Sequence, residues 1–246
     1  MTTLERILKI KETKGAGYFV LIDPDKWQPD ELVELAVQAS EDGADAILVG
    51  GSLLLSSSFD DLVQDIKQQI DIPLIIFPGS PTQVSKFADA IFFLSLISGR
   101  NPTYLIGEQV RAAPAIKAHG IEAISVGYML IESGGITSAE FMSNTRPIPR
   151  EKPDIAKATA LAAEFMGMKL VYLEAGSGAH KPVPNELIAG VKKYVSIPII
   201  VGGGIRTPEE ARQKIEAGAS FVVTGNVLEK QGNSSLIREF AAAVHG

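Results

Sequence analysis

The chain contains no cysteine and only three histidines among its 246 residues. The absence of cysteine excludes disulfide bridges and zinc sites built on thiolates. No stretch approaches the roughly 20 consecutive apolar residues of a membrane-spanning helix, and the charged N-terminal segment lacks the apolar core of a signal peptide. Basic residues are dispersed and outnumbered by acidic ones, which gives a net charge of −6 and no basic patch for nucleic acid. We therefore expect a cytoplasmic protein without a nucleic-acid partner.

Short apolar runs recur along the chain with helical segments between them. Eight such runs cover 17–22, 46–50, 73–77, 90–96, 123–130, 169–175, 198–203 and 221–225. None alternates strictly between polar and apolar residues, which is typical of parallel strands covered on both faces. Amphipathic helices are predicted at 30–42, 59–70, 154–166, 184–194, 207–217 and 234–244. Without a break in composition, this pattern predicts a single α/β domain over residues 1–246, a (β/α)8 TIM barrel.

Two connections depart from the regular pattern. The segment 79–90 is too short for a connecting helix with its loops, so we expect a short strap there and an open barrel wall. The segment 132–152 is long and rich in Gly, Ser, Asn and Pro. It follows the fifth run on the face that carries active sites in such barrels, and it is either a lid or a surface insertion without a role.

Glycine-rich turns end the last three runs: YLEAGSG at 172–178, VGGGIR at 201–206 and TGN at 224–226. Backbone N–H groups in such turns can approach an anion closely, and the second turn also opens a helix with T-P-E-E-A-R. Late turns of this kind commonly hold phosphate in TIM barrels. We therefore expect a small phosphorylated ligand; Lys26, Arg100 and Lys181 are basic residues near the same rim.

Three side chains can carry chemistry beside this cradle. Asp23 and Ser52 follow the first two runs and supply the hard oxygen ligands that Mg²⁺ prefers, although both also occur in ordinary turns. Glu174 lies inside the cradle, where burial and a nearby phosphate would raise its pKa. It either takes a proton from a substrate hydroxyl or only orients that hydroxyl. The histidines form no pair for zinc or for a nucleophilic triad; His119 is predicted at a helix end, His180 near the rim and His245 at a frayed terminus.

The motifs together resemble the geranylgeranylglyceryl phosphate synthase family, which includes the bacterial PcrB-type heptaprenylglyceryl phosphate synthases. The matching stretches are DPDK at 23–26, GGS at 50–52, YLEAGSG at 172–178, GGGI at 202–205 and GN at 225–226. The resemblance implies a TIM barrel whose third helix is replaced by a strap. It also implies Mg²⁺-dependent transfer of a polyprenyl group from an allylic diphosphate to the 3-hydroxyl of sn-glycerol 1-phosphate, in ether phospholipid biosynthesis.

The resemblance also implies roles for particular residues. Asp23 and Ser52 would be the Mg²⁺ ligands, and Glu174 would deprotonate or orient the glycerol hydroxyl. Glycerol 1-phosphate would be bound by Tyr172, Leu173, Glu174, Ala175, Gly176, Ser177, Gly178, Gly203, Gly204, Gly225 and Asn226. PcrB-type members carry a lysine two residues before the metal aspartate, whereas this chain has Leu21. That difference favours the archaeal-type branch and a geranylgeranyl chain.

The prenyl tail needs an apolar groove, and residues 75–77 and 91–97 beside the open wall are candidates, although part of that stretch must be barrel core. The expected partners are the two substrates, a second copy in a dimer or hexamer, and a membrane surface contacted peripherally. The alternatives are a phosphosugar isomerase or cyclase and a non-catalytic phosphate-binding assembly module. The first of these needs a carboxylate after the fifth run, which ends in Tyr128 and its apolar neighbours.

Overall fold

The structure is a computed structural model that describes residues 1–55, 58–228 and 234–246. Eight parallel strands pair in chain order and close into a barrel. The strands are β1 (Gly17–Ile22), β2 (Ala46–Val49), β3 (Leu74–Ile76), β4 (Ala90–Leu96), β5 (Glu122–Leu130), β6 (Leu170–Glu174), β7 (Ile199–Gly202) and β8 (Phe221–Thr224). The predicted TIM barrel and its eight strands are confirmed.

Helices surround this barrel and close one of its ends. They are α1 (Thr3–Lys14), α2 (Pro29–Glu41), α3 (Phe59–Gln69), α4 (Glu108–His119), α5 (Ser138–Ser143), α6 (Pro153–Phe165), α7 (Asn185–Lys192), α8 (Pro208–Glu216) and α9 (Ser234–His245). A π-helical turn, Thr103–Gly107, leads into α4. No helix in the described ranges is long and apolar enough to cross a membrane.

Alternate residues of each strand divide the core into two clusters. Inward side chains such as Phe19, Tyr172 and Phe221 fill the barrel, and Ile7 of α1 packs with them at the N-terminal end of the strands. Outward side chains such as Leu173 pack against the helices. This period of two decides which residues can reach the C-terminal rim from inside the barrel.

The connection between β3 and β4 is a strap without helix, as predicted. Residues 77–89 contain only turns and bends. The π-helical turn and α4, which follow β4 in the chain, pack on β4 and complete the barrel wall where the helix is missing.

The segment 132–152 is ordered against the rim on both sides. It carries α5, and Ile131 and Ile148 form a bridge at its base. Asn101 donates a hydrogen bond to the carbonyl of Ser143 (2.7 Å), and Arg150 donates to the carbonyl of Pro182 (3.0 Å). These contacts tie the segment to the β4 loop on one side and to the β6 loop on the other.

The C-terminal end of the chain differs from the expectation of a frayed terminus. His245 belongs to α9, and its Nε2 lies 2.7 Å from Oδ2 of Asp45. Asp45 also accepts the backbone N–H of Tyr18 at 2.8 Å and pairs with Lys14 at 2.6 Å. The prediction was wrong because it rested on position in the chain, while the buried carboxylate that holds His245 is 200 residues away.

Candidate active site at the C-terminal rim

A cleft of about 1770 Å³, partly open to solvent, lies at the C-terminal ends of the strands. Its walls come from the ends of β1, β2, β6, β7 and β8, which is where active sites of TIM barrels are built. Most of the predicted site residues line it together: Asp23, Ser52, Tyr172, Glu174, Ser177, Gly178, Gly203, Gly204, Gly225 and Asn226. Lys26 and Arg206 also line it.

Glu174 is the buried acid of this cleft, with 5% of its surface exposed. Its Oε1 accepts the backbone N–H of Gly176 at 2.6 Å. Burial raises the pKa of Glu174 to about 7, although the N–H of Gly176 works against this shift by stabilising the carboxylate. A carboxyl group with this pKa exchanges a proton readily near neutral pH.

Two tyrosines surround the carboxyl group of Glu174. The hydroxyl of Tyr172 is buried, and its interaction with the carboxyl group of Glu174 works against the rise in the pKa of Glu174. The ring of Tyr128 lies 5.4 Å from the ring of Tyr172 and lines the same cleft. Burial and the nearby charge of Glu174 raise the pKa of both hydroxyl groups, so both remain donors at neutral pH.

Gly203 allows the β7 turn to approach the carboxyl group of Glu174. Its φ of +81° is a left-handed conformation that favours glycine, and Gly204 follows with φ of +71°. A Cβ atom at position 203 would lie 2.2 Å from Oε1 of Glu174 and 2.6 Å from the nitrogen of Gly176. Any side chain there would push the β6 and β7 turns apart.

Backbone N–H groups of these turns are available for an anion. Those of Ser177, Gly178, Gly203 and Gly204 donate no hydrogen bond to any described residue. The N-terminus of α8 is used differently, since the carboxylate of Glu210 accepts the N–H groups there in a capping box. The glycine turns therefore provide the donors of the cradle, while the N–H groups of Arg206, Thr207 and Glu210 are used within the capping box.

The β6 turn is held in place by its neighbours. Arg206 donates to the carbonyl groups of Ala179 (2.8 Å) and His180 (3.2 Å). Ser177 donates to Oδ1 of Asn226 at 2.7 Å and so joins the β6 turn to the β8 turn. These bonds preorganise the cradle, whose residues with free N–H groups line the cleft.

Asp23 and Ser52 lie on the opposite side of the cleft from Glu174. Oδ1 of Asp23 accepts the N–H of Asp25 at 3.1 Å, and burial raises the pKa of Asp23 above its ordinary 3.8. A Cβ atom on Gly51 would lie 3.1 Å from that same oxygen, which places the β2 turn directly beside Asp23.

The donor chemistry of this corner fits Mg²⁺ shared with a substrate. No cluster of three or more carboxylate or imidazole side chains suited to a metal is present within the described ranges. Mg²⁺ usually takes one or two carboxylates and completes its shell with water and substrate phosphates, so Asp23 with Ser52 meets that requirement. These residues do not form a complete coordination shell of protein oxygens of the kind that binds calcium.

An apolar groove opens into the same cleft. It encloses about 850 Å³, partly open to solvent, and lies where the strap replaces a helix. Its walls include Phe77, Ile91, Phe93 and Leu96 from the predicted segments 75–77 and 91–97, together with Tyr104 and Met142. Gly51, Ser52, Phe77, Tyr128 and Ala139 line both spaces. The groove and the cleft therefore meet beside Ser52.

Several predicted residues take part through their backbone or lie elsewhere. Leu173 and Ala175 point outward into the helix layer, and the N–H of Gly176 is used by Glu174, so none of the three lines the cleft. Arg100 and Lys181 are not among the lining residues. The sequence reasoning missed Tyr128 and gave Arg206 no role; the inward register of β5 and the turn after β7 were the available signals.

Comparison with known proteins gives a consistent result. The family model described as the PcrB family matches residues 7–244. A geranylgeranylglyceryl phosphate synthase from Chitinophaga pinensis is 50% identical over 96% of this chain and 93% of its own length. One from Thermococcus gammatolerans is 46% identical over 96% and 93%, respectively.

Solved structures agree in fold over the whole chain. A (S)-3-O-geranylgeranylglyceryl phosphate synthase from Thermoplasma acidophilum, in complex with its substrate sn-glycerol-1-phosphate, superposes with a TM-score of 0.94 at 38% identity and covers 100% of this chain and 99% of its own. A thiamine phosphate pyrophosphorylase from Pyrococcus furiosus, at 15% identity and a TM-score of 0.62, shares the fold alone. With a matching family model across nearly its full length and close relatives that bear the synthase name, this chain belongs to the PcrB family.

Proposed function

We propose that this protein transfers a geranylgeranyl group from geranylgeranyl diphosphate to the 3-hydroxyl of sn-glycerol 1-phosphate and releases diphosphate. The observation that carries the proposal is the junction of two spaces. A polar cleft with an anion cradle and a buried acid of pKa about 7 opens directly into an apolar groove. The relatives that share half of the sequence carry the same activity in their names.

The cradle suits the phosphate of glycerol 1-phosphate. The free N–H groups of Ser177, Gly178, Gly203 and Gly204 would hold its oxygens, and Gly225 and Asn226 would close the opposite side. In this arrangement the glycerol hydroxyls would face Glu174 and Tyr172. Glu174, with its raised pKa, accepts the proton of the 3-hydroxyl as the new ether bond forms. The Tyr172 hydroxyl donates a hydrogen bond to the oxygen of that same 3-hydroxyl.

The second substrate would enter from the groove side. Asp23 and Ser52 would hold Mg²⁺, which neutralises the developing charge of the diphosphate leaving group. The aromatic faces of Phe77 and Tyr128 lie where cleft and groove meet, and they keep water from the allylic carbon. The apolar walls of the groove accommodate the prenyl tail, whose burial favours binding by the hydrophobic effect.

A phosphosugar isomerase needs a second acid at the end of β5. The cleft within the described ranges is lined there by Tyr128, and its carboxylates are Asp23 and Glu174. The arrangement therefore favours substitution at an allylic carbon over proton transfer between two carboxylates.

The proposal extends to assembly and location. Large apolar side chains are exposed on α5 and α6, with Phe141 at 76% and Phe165 at 81%. They fit contact with a second copy in a homodimer or a hexamer, and light scattering at graded concentrations tests this. We also propose a cytoplasmic enzyme that touches membranes only peripherally, which flotation with vesicles carrying a prenyl diphosphate tests.

The activity is tested with glycerol 1-phosphate, Mg²⁺ and prenyl diphosphates of graded length. We expect an ether lipid product, formed best with the geranylgeranyl donor and abolished by EDTA. The mirror-image sn-glycerol 3-phosphate is the matched control and should react poorly. Failure to form lipid from any donor would contradict the proposed function. Product formation in EDTA would contradict only the role of Mg²⁺ and would leave the proposed activity intact.

A further inference from the structure

Gln83 is a fully buried side chain in the strap between β3 and β4, with 0% of its surface exposed. Its Nε2 donates to the carbonyl of Gly51 at 2.9 Å, and its Oε1 accepts the N–H of Gly51 at 3.3 Å. The same Oε1 accepts the N–H of Gly79 at 3.3 Å. The side-chain amide therefore pairs with both the backbone N–H and the carbonyl of Gly51, as a residue of a neighbouring strand would.

The glycines around this pair allow the backbones to approach closely. A Cβ atom at Gly50 would lie 2.1 Å from the carbonyl oxygen of Phe77, and one at Gly79 would lie 2.1 Å from the carbonyl oxygen of Gly51. Gly50 also has φ of +147°, a conformation that side chains rarely adopt. The β2 turn therefore has little freedom of its own and rests on the strap through Gln83.

The turn that Gln83 holds is the one beside Asp23. Gly51 lies against the Asp23 carboxylate, and Ser52 is the next residue. A displacement of Gly51 would change the separation between the Asp23 carboxylate and the Ser52 hydroxyl. Groups behind metal ligands tune affinity by fixing the geometry of those ligands.

We propose that Gln83 is a positioning residue that holds the β2 turn against Asp23, so that Asp23 and Ser52 form the Mg²⁺ and diphosphate corner of the cleft. This inference rests on the proposed function, since it assigns the metal to that corner. This role would explain what the strap contributes. Where other barrels have a helix, this chain has a strap whose Gln83 amide holds the β2 turn beside Asp23. Gln83 touches no substrate in this account.

The test compares two substitutions of Gln83 with a structural control. Gln83→Met keeps the size and removes the three hydrogen bonds, while Gln83→Asn keeps an uncharged amide on a side chain that is one methylene shorter. Asp45→Asn at the opposite end of the barrel is the control, because it removes buried hydrogen bonds far from the cleft. The readouts are Mn²⁺ binding by electron paramagnetic resonance in the presence of inorganic diphosphate, the KM for glycerol 1-phosphate, and thermal stability.

We expect Gln83→Met to weaken Mn²⁺ binding by about 10-fold or more, as for other residues behind metal ligands. The KM for glycerol 1-phosphate should stay within about twofold, because the cradle lies across the cleft, and excess Mg²⁺ should restore part of the lost kcat. Gln83→Asn should show the smaller loss, because it keeps an amide donor and acceptor. Asp45→Asn should lower thermal stability and leave Mn²⁺ binding unchanged.

Equal metal affinity in wild-type protein and Gln83→Met would overturn the inference and leave Gln83 a purely structural residue. Should Gln83→Met fail to fold, the same comparison applies to Gln83→Asn, and unchanged Mn²⁺ binding there overturns the inference as well. A wild-type protein that makes no ether lipid refutes the proposed function instead. Metal binding to the wild type is measured without the prenyl substrate, so the two failures are distinguishable.

Discussion

Two buried carboxylates at opposite ends of the barrel have opposite environments. Asp45, at the N-terminal end of the strands, receives hydrogen bonds from Lys14, His245 and the N–H of Tyr18. Glu174, at the C-terminal end, receives one from the N–H of Gly176, and the hydroxyl of Tyr172 beside it adds a smaller stabilisation of the carboxylate. Both have little exposed surface, 4% for Asp45 and 5% for Glu174, and Glu174 is the more deeply enclosed of the two by protein atoms.

The pKa values of the two groups move in opposite directions for this reason. Burial alone would raise both, but the donors around Asp45 outweigh it and hold that pKa below its ordinary 3.8. With little compensation, the pKa of Glu174 rises to about 7. One end of the barrel is therefore arranged for stability, and the other keeps an acid incompletely paired for chemistry.

The largest expected effect is on activity at Glu174. Glu174→Gln keeps the shape of the side chain and removes the proton acceptor, so turnover should fall by roughly 10²–10⁴-fold, the range for lost general-base catalysis. Steady-state kinetics measure it, with the exposed Glu12→Gln as the control. A loss below tenfold would favour the alternative in which Glu174 only orients the hydroxyl.

The same substitution should change how stability depends on pH. With a pKa of about 7 in the folded state against an ordinary 4.5, the folded protein binds more protons between these values, so the contribution of Glu174 to stability falls as pH rises. Relative to wild type, Glu174→Gln should gain up to about 3 kcal/mol in free energy of unfolding between pH 4 and pH 8. Urea unfolding at both pH values measures this gain. A gain in the opposite direction would mean that the carboxylate is stabilised by the fold, as Asp45 is.

Substitutions at two glycines allow the steric effect of a side chain at the site to be measured apart from backbone strain. Gly203 and Gly167 have φ of +81° and +82°, but a Cβ atom meets Glu174 at the first and nothing within 4 Å at the second. Gly203→Ala should cost about 100-fold in kcat/KM because it displaces Glu174 from the cradle. Gly167→Ala should cost about 1–2 kcal/mol of stability from strain alone and leave kcat/KM unchanged. Equal kinetics for the two variants would contradict the close approach.

No effect on activity is expected from a change at the opposite end of the barrel, where only stability should fall. Asp45→Asn weakens the pairing with Lys14 and His245, whose side chains are 44% and 22% exposed. Since partly exposed partners regain water, we expect a loss of about 2 kcal/mol, below the usual value for a deeply buried pair. Chemical denaturation measures it, and kcat should stay at the wild-type value. A fall in kcat without a fall in stability would contradict the conclusion that the N-terminal end of the barrel serves stability and the C-terminal end serves chemistry.

The barrel itself could be predicted from the sequence because its signals are local. Eight apolar runs, the short 79–90 connection and the glycine turns each report on their own few residues, and the structure confirms the strands and the strap. The period of two within β6 also carries information that the motif reading did not use: Leu173 must face outward if Tyr172 and Glu174 face the barrel.

What could not be predicted depends on contacts between distant segments. Gln83 reaches Gly51 across 32 residues, and His245 reaches Asp45 across 200. Neither side chain belongs to a motif, and each acquires its partner only when the barrel closes. The metal roles of Asp23 and Ser52 remain predictions for a related reason, since substrate oxygens would complete that coordination shell.

The central claim is that Glu174 titrates near neutral pH while Asp45 remains ionised well into acid. Carbon-13 NMR of side-chain carboxyl groups follows both in one titration, with Glu174→Gln and Asp45→Asn assigning the two signals. The account predicts a pKa of about 7 for Glu174 and a value below 3.8 for Asp45. A Glu174 signal that titrates at or below 4.5, its ordinary value, would contradict the account.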